Sequence, residues 1–250
     1  MRALILSDIH ANLEALNAAL EAAAPFDVLW NLGDVVGYGA SPNEVIDIVR
    51  SSAQLNVRGN HDRVCCGLTS ALGFNPVARA AANWTREAMT PANRDWLANV
   101  PQGPIQPTDY PDVNLAHGSP LNEDQYILSM RDAWAPLQQG PSITFIGHTH
   151  LQGGFAQKGH DWHEFRPQYD SRNEPSTWTL TLTPGTRHLI NPGSIGQPRD
   201  NDWRAAFAIY DTEAAQITFH RIPYDVTAAQ GRILLAGLPE RLAARLREGR

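Results

Sequence analysis

The sequence predicts an α/β fold in which two sheets pack face to face, with helices on the outside. In the first half of the 250-residue chain, short apolar runs alternate with helical patterns, as in βαβ units. From Phe155 onward the pattern becomes all-β, which is typical of antiparallel pairs. Hydrophobic residues make up 42% and charged residues 18%, so a globular protein with a sizeable core is expected.

The first half supplies three strands and two helices. We expect the strands at Ala3–Ser7, Phe26–Leu32 and Gln54–Val57. Asn12–Ala24 has leucines at helical spacing, with its first residue as the cap, and Ser41-Pro42 begins the second helix as N-cap and first helical residue. In such sheets the ligand crevice lies at the carboxyl ends of the strands.

Residues 63–104 interrupt this alternation with a helical insertion. Asn75–Thr90 and Pro91–Val100 are predicted to be helices, and we expect Trp84 and Trp96 to pack them onto the body. Since the insertion directly follows the loop of the third strand, we expect it to form a substrate-side cap or wall. The alternative is that it only covers an edge of the sheet.

The rest of the chain is predicted to complete a single domain spanning residues 1–250, without a linker. Further elements are expected as strands Val113–Ala116, Ser142–Ile146, Thr177–Thr183, Arg187–Ile190, Ala205–Tyr210 and Gln216–Ile222, and as helices Met130–Gln138 and 225–250. The last helical segment carries a group of arginines that we interpret as a solvated helix face, Arg241, Arg245, Arg247 and Arg250.

Charge and composition disfavour several classes of protein. The net charge is -6 and no long basic block occurs, which argues against binding nucleic acid through a broad cationic surface. No secretory pattern and no apolar run of membrane-spanning length is visible, so we expect a cytoplasmic protein. The adjacent Cys65 and Cys66 are then expected as thiols, with an oxidation-sensitive site as the alternative.

Five loops that follow strand-like runs carry acidic, imidazole or amide side chains. Seven of these side chains are candidate metal ligands: Asp8, His10, Asp34, Asn60, His117, His148 and His150. In an extended segment, ligands at positions i and i+2 point to the same side. Carboxylates and imidazoles suit Mn²⁺, Fe or Zn²⁺, and the lack of a Cys cluster argues against a structural thiolate zinc site. Seven ligands fit two sites that share one carboxylate.

The order of these motifs resembles that of the calcineurin-like metallophosphoesterases. The motifs that carry the resemblance are Asp8-x-His10, Gly33-Asp34, Gly59-Asn60-His61-Asp62, His117 and Gly147-His148-Thr149-His150. The later segment Asn191–Arg199 is similar to the small bacterial and archaeal phosphodiesterase branch. The resemblance implies a four-layer α/β/β/α sandwich of two mixed sheets, and a dinuclear centre of Mn, Fe or Zn, with Mn favoured for activity.

By position, the resemblance also implies a role for each residue. The first metal would be held by Asp8, His10, Asp34 and His150, and the second by the bridging Asp34, Asn60, His117 and His148. His61 would protonate the leaving oxygen, Asp62 would orient it, and a metal-bridging hydroxide would be the nucleophile. The Arg that clamps phosphate in the protein-phosphatase branch has no counterpart after Gly33-Asp34, and Arg63 and Arg199 are candidate substitutes.

The function expected from this resemblance is metal-dependent hydrolysis of small phosphodiesters or nucleotides. The enzymatic alternatives are a phosphomonoesterase or protein phosphatase, and a nuclease, which the acidic charge disfavours. A non-catalytic metal-binding interaction module is the alternative from another class, as in the retromer subunit that resembles this family. The complete ligand set and His61 favour an enzyme.

Overall fold

The computed structural model describes residues 1–250 and contains eleven strands and eight α-helices. The strands are β1 (Arg2–Leu6), β2 (Val28–Asn31), β3 (Leu55–Asn56), β4 (Val113–Leu115), β5 (Ile143–Phe145), β6 (Gly153–Lys158), β7 (Asp161–Phe165), β8 (Ser176–Thr181), β9 (Arg187–Asn191), β10 (Ala205–Asp211) and β11 (Gln216–Ile222). The helices are α1 (Leu13–Ala23), α2 (Pro42–Ser52), α3 (Asn60–Cys65), α4 (Pro76–Ala88), α5 (Pro91–Asn99), α6 (Met130–Gln139), α7 (Val226–Leu235) and α8 (Glu240–Glu248).

The strands form two mixed sheets that pack face to face. One sheet has the order β3-β2-β1-β10-β11-β8 and the other the order β4-β5-β9-β6-β7. Strand β1 runs parallel to β2 and antiparallel to β10, so the βαβ half and the later hairpin share one sheet. Apolar side chains from both sheets meet between them, among them Ile5, Trp30, Phe145, Ile190 and Phe219.

Helices cover the outer face of each sheet. A cluster of 35 buried residues joins α1, α2, α4, α5, α7 and α8 to the first sheet. A smaller cluster packs Ala133 and Leu137 of α6 against Phe155 and Leu189 of the second sheet. The prediction of a four-layer sandwich of two mixed sheets is therefore confirmed. None of these helices combines the length and the apolar character needed to cross a membrane.

The insertion at 63–104 belongs mostly to the outer helix layer. Ala81 of α4 and Leu97 of α5 lie in the same core as α1 and α2, and Trp84 and Trp96 pack against that core. The turn before α4 approaches the predicted site, where the Phe74 ring lies 4.5 Å from the ring of His61. The insertion thus covers the sheet with its helices and contributes one edge to the site.

Two local features differ from the sequence-based expectation. Residues 60–65 form the short helix α3, where a loop was expected, because Asp62 Oδ2 accepts a hydrogen bond from the Gly59 N–H at 3.0 Å and caps the first turn. Strand β3 is correspondingly reduced to two residues. Both cysteines are free thiols, and burial raises the pKa of Cys65 well above its ordinary value, which keeps this thiol protonated.

Candidate metal centre

The loops after five strands converge at one end of the two sheets. Strands β1 and β2 lead to Asp8, His10 and Asp34, β3 leads to Asn60 at the start of α3, and β4 and β5 lead to the three remaining histidines. All seven predicted ligands lie there, in two groups of potential ligand atoms that include Asp8, His10 and His150, and Asp34, His117 and His148. Six of the seven are buried.

The first group has the spacing that a metal ion requires. Asp8 Oδ1 lies 3.3 Å from His150 Nε2 and 3.9 Å from His10 Nε2, and the two imidazole nitrogens are 3.2 Å apart. Ligands about 2.0–2.1 Å from a tetrahedral ion are roughly 3.4 Å from one another. The three atoms therefore fit one face of such a coordination sphere.

The second group is centred on His117 Nε2. This atom lies 3.2 Å from Asn60 Oδ1, 3.1 Å from His148 Nδ1 and 3.3 Å from Asp34 Oδ2. The same Asp34 oxygen is 3.7 Å from His10 Nε2 of the first group. Asp34 therefore occupies the position of a carboxylate shared between two sites.

Each of the four histidines turns its other ring nitrogen toward a backbone carbonyl. The pairs are His10 with Val36 O, His117 with Leu32 O, His148 with Asp124 O and His150 with Gln197 O, at 2.5 to 3.3 Å. A ring N–H that donates to a carbonyl leaves the opposite nitrogen with its lone pair facing the centre. The lone pairs of His10 Nε2 and His150 Nε2, 3.2 Å from one another, repel unless a cation lies between them. The donor set therefore fits metal ions.

Asp8 adds a second indication of a cation. Its Oδ2 accepts from Ser7 Oγ at 2.7 Å and from the His148 N–H at 3.0 Å, but its Oδ1 is buried without any hydrogen-bond partner. Leaving a buried carboxylate oxygen unpaired costs about 1–3 kcal/mol or more. Burial also raises the pKa of Asp8 to about 6. A metal ligand at Oδ1 would remove both costs.

The backbone that presents these ligands is not extended as the sequence pattern suggested. Five of the ligands have φ between 50° and 67°, the left-handed region: Asp8, His10, Asp34, His148 and His150. Such conformations cost about 1–3 kcal/mol each for a residue other than glycine, and they concentrate at functional sites. The ligand pairs at positions i and i+2 do face one pocket, as predicted. Their direction comes from the left-handed backbone, however, and not from the alternation of side chains along an extended strand.

The Asp34–His117 contact dominates the electrostatics of the metal-free centre. Burial opposes the charged form of both groups, yet His117 and His61 hold the pKa of Asp34 well below its usual range. In turn, Asp34 raises the pKa of His117 to about 9 against the effect of burial. His117 is therefore protonated at neutral pH until a metal ion replaces its proton.

We expect metal affinity to rise with pH because of this proton. A metal ion binds only neutral imidazole, so at any pH below about 9 it must displace the proton of His117. The apparent association constant should increase about tenfold per pH unit between about pH 7 and about pH 9. Calorimetric Mn²⁺ titrations in buffers of different ionisation enthalpy measure the proton released. A pH-independent affinity without proton release would contradict this assignment.

Gly59 packs its backbone directly against the carboxylate of Asp34. A Cβ at this position would lie 2.0 Å from Asp34 Oδ1 and 2.4 Å from the Asp34 backbone nitrogen. That oxygen also accepts the His61 N–H at 2.8 Å, so the start of α3 positions the shared carboxylate. Only a residue without a side chain fits here.

Gly59→Ala should therefore weaken metal binding by about 10–100-fold, the usual cost of disturbing a group that orients a metal ligand. Gly73→Ala is the matched control, because a Cβ there has no neighbour within 4 Å. Mn²⁺ titration of both variants measures the effect. Equal affinity of Gly59→Ala and Gly73→Ala would show that Asp34 tolerates the displacement.

His61 lies beside the two ligand groups in a cage of rings. Its ring centroid is 4.4 Å from Tyr38, 4.5 Å from Phe74 and 5.0 Å from His10, and its Nδ1 is buried without a partner. Burial lowers the pKa of His61 to about 4. The imidazole is therefore neutral in the free protein and carries one N–H.

Asp62 does not contact the His61 ring, so the predicted orienting hydrogen bond is absent. One of its oxygens accepts the Gly59 N–H and the other accepts the Val36 N–H at 3.1 Å. Both oxygens are used by the backbone because Asp62 caps α3. Asp62 instead ties the start of this helix to the loop that carries Asp34.

The two arginines predicted to bind substrate differ in their surroundings. Arg63 forms ion pairs with Glu123 and with both oxygens of Asp124, at 2.8 and 2.9 Å for the latter, so its charge is already balanced. Arg199 donates to Gln197 Oε1 at 3.1 Å, and its guanidinium carbon lies 5.9 Å from the centroid of the Tyr38 ring. Arg199 is therefore the better placed of the two to meet a phosphate.

Four residues that the sequence analysis did not assign to the site also lie around the centre. Tyr126 stacks on His148 with ring centroids 3.9 Å apart, Tyr38 and Phe74 enclose His61, and Arg245 lies over Tyr38 at 5.8 Å. Of these, Tyr38 had a sequence signal, since it stands between two glycines in the loop after Asp34. The other three reach the centre through tertiary packing.

Comparisons with known proteins support the family resemblance that the motifs indicate. Residues 1–215 match the family model described as the calcineurin-like phosphoesterase superfamily domain, and all the motif residues fall within this range. The uncharacterized protein MJ0912 of Methanocaldococcus jannaschii is 32% identical over 249 residues, which cover 98% of this chain and 97% of that protein. A solved metallophosphoesterase from Sphaerobacter thermophilus is similar at 38% identity with a TM-score of 0.84, covering 100% of this chain and 99% of that one. The hypothetical protein PH1004 from Pyrococcus horikoshii OT3 shares the fold, with a TM-score of 0.79, 21% identity, and coverage of 100% and 98%. This chain therefore belongs to the calcineurin-like phosphoesterase superfamily.

Proposed function

We propose that this protein is a dinuclear metal-dependent phosphodiesterase that acts on small phosphodiesters or nucleotides, with Mn²⁺ as the favoured ion. The observation that carries the proposal is the pair of ligand groups that share Asp34, since Asp34 Oδ2 lies 3.3 Å from His117 Nε2 and 3.7 Å from His10 Nε2. Two ions held there would polarise a phosphoryl oxygen and activate water for an in-line displacement.

The side chains around the centre supply the remaining requirements. His61 presents its imidazole beside the ligands, where its N–H can donate to the oxygen that leaves phosphorus. The rings of Tyr38 and Phe74 enclose it and keep water from its faces. Asp62 holds the start of α3, so that His61 and Asn60 keep a fixed relation to Asp34.

The choice of small esters over phosphoproteins rests on the loop after Asp34. Val35–Gly39 contains no arginine that could form a bidentate contact with the phosphate of a protein, and Tyr38 occupies this loop instead. The two arginines that lie near that ring, Arg199 and Arg245, come from other segments of the chain. A nuclease is disfavoured because the chain carries a net charge of -6.

A substrate panel with Mn²⁺-loaded protein tests this function. It should include bis(p-nitrophenyl) phosphate, p-nitrophenyl phosphate, cyclic nucleotides, dinucleoside polyphosphates and phosphopeptides, with metal content measured in parallel. We expect the diesters to be hydrolysed with higher kcat/KM than the monoesters. A preference for monoesters or phosphopeptides would assign a phosphatase. Two bound metals without any turnover would assign a non-catalytic binding module.

A further inference from the structure

An open groove lies between the start of α4 and helix α8, and its inner end reaches the candidate metal centre. We call it the arginine groove; its lining includes Tyr38, Pro76, three arginines and one carboxylate, namely Arg241, Arg245, Arg250 and Glu248. It encloses about 760 Å³. This volume lies in the range of small-molecule ligand sites, about 300–1,000 Å³.

Two arginines lie near Tyr38, the lining residue closest to the metal centre: Arg245 lines the groove, and Arg199 lies near the same ring without lining the groove. The guanidinium carbons of Arg199 and Arg245 lie 5.9 Å and 5.8 Å from the centroid of the same Tyr38 ring. Arg199 hydrogen-bonds Gln197 Oε1, and Arg245 donates to the main-chain oxygen of Arg250, the last residue of the sequence; neither forms an ion pair with an Asp or Glu side chain. The Nε of Arg199 is buried and has no partner.

The proximity of these two arginines is electrostatically unfavourable. Two cations beside one ring repel each other, and burial followed by the charge of Arg199 lowers the pKa of Arg245 to about 10. The two fully buried arginines of the chain each have a carboxylate partner, Arg204 in Asp202 and Arg221 in Asp200. An anion between Arg199 and Arg245 would remove the repulsion and occupy the free donors.

The apolar residues that pack helix α8 onto the protein do not include Arg245. Helix α8 packs through Leu242, Ala243 and Leu246, which lie in the large helix-layer core. Arg245 extends from the side of the helix that faces Tyr38. On the same helix, the exposed Arg247 donates to Thr227 Oγ1 at 3.0 Å and does not line the groove.

The groove meets the centre on the side of His61. The Tyr38 ring lies 4.4 Å from the His61 ring and 4.7 Å from the His10 ring. In the function proposed above, His61 faces the leaving oxygen of the substrate. We infer that the arginine groove binds an anionic group on the leaving half of the substrate. The substrate would then be a phosphodiester that carries a second phosphate besides the one that reacts. This inference rests on the proposed function.

Dinucleotides that differ only in a terminal phosphate test the inference. The Mn²⁺-loaded protein should be assayed with thymidylyl-thymidine and with the same dinucleotide phosphorylated at its 5′ or at its 3′ end. We expect one of the two phosphorylated forms to have a kcat/KM about 10–100-fold higher than the unphosphorylated form, because hydrogen bonds between charged groups have about this effect. The advantage should shrink as salt concentration rises.

The variants Arg245→Gln and Arg241→Gln identify the groove as the origin of this advantage. We expect the ratio of kcat/KM values, phosphorylated over unphosphorylated, to fall toward one in Arg245→Gln. Arg241→Gln, at an exposed position that cannot disturb the core, should lower the ratio about threefold. Arg247→Gln is the matched control and should keep the wild-type ratio. Each ratio is taken within one variant, so partial unfolding does not affect it.

The outcomes separate this inference from the proposed function. Hydrolysis of the unphosphorylated dinucleotide with no advantage for either phosphorylated form would overturn the arginine groove as a phosphate site and leave the phosphodiesterase intact. An advantage that persists in both Arg245→Gln and Arg241→Gln would do the same. If neither a dinucleotide nor bis(p-nitrophenyl) phosphate is hydrolysed, the proposed function is wrong and this inference falls with it.

Discussion

Asp34→Asn is expected to abolish turnover and to reduce metal content. Asp34 Oδ2 is the carboxylate oxygen that lies near both ligand groups, 3.3 Å from His117 Nε2 and 3.7 Å from His10 Nε2. An amide removes the negative charge that balances two divalent ions. It can also direct an N–H, instead of an oxygen, toward the two metal sites. Loss of this residue should therefore affect both sites together.

Metal analysis after dialysis, together with kcat/KM for bis(p-nitrophenyl) phosphate, measures this effect. Asp161→Asn is the matched control, since this aspartate is exposed at the start of β7 and belongs to neither ligand group. A variant that keeps two metals and turns over at nearly the wild-type rate would contradict the shared carboxylate.

The metal-free Asp34→Asn protein provides a second readout. Asp34 is the main reason that the pKa of His117 rises to about 9, and burial acts in the opposite direction. Without that carboxylate the pKa of His117 should fall, because burial still lowers it while only the weaker effects of Asp8 and Asp62 raise it. Titration of this histidine by NMR then tests the charge of Asp34 separately from catalysis.

The ligand set could be predicted from the sequence because each ligand stands at a strand end. The strand pattern placed Asp8, Asp34, His117 and His148 after apolar runs, and the carboxyl ends of neighbouring strands meet at one edge. What the pattern could not supply was the orientation of these side chains. That orientation depends on left-handed backbone at residues such as Asp8 and His148, which hydrophobic periodicity does not encode.

Contacts between distant segments account for the other differences. The family resemblance implied that Asp62 orients His61, but the oxygens of Asp62 accept the N–H groups of Gly59 and Val36. Arg245 was expected in solvent because helix α8 ends in many charges, yet it lies over Tyr38, 207 residues earlier in the chain. Burial of a polar side chain depends on which surfaces the fold brings together, and those contacts cannot be predicted from the local sequence.

His61→Ala is expected to keep the metal content and to slow turnover by roughly 10²–10⁴-fold, the usual effect of removing a positioned acid. No His61 nitrogen belongs to either ligand group, so the metal sites should remain. Burial holds the pKa of His61 at about 4, and the negative charge of a bound phosphate raises it by favouring the imidazolium. The proton is then available at the moment when the leaving oxygen gains charge.

The dependence on leaving group distinguishes this role of His61 from simple packing against Tyr38 and Phe74. An oxygen that leaves as nitrophenolate needs little protonation, whereas the alkoxide of a sugar needs a proton. The loss in His61→Ala should therefore be smaller for bis(p-nitrophenyl) phosphate than for a dinucleotide. His163→Ala, at an exposed position on β7, is the control and should resemble the wild type for both substrates. Equal losses for good and poor leaving groups would remove His61 from the acid role, because a packing defect slows all substrates alike.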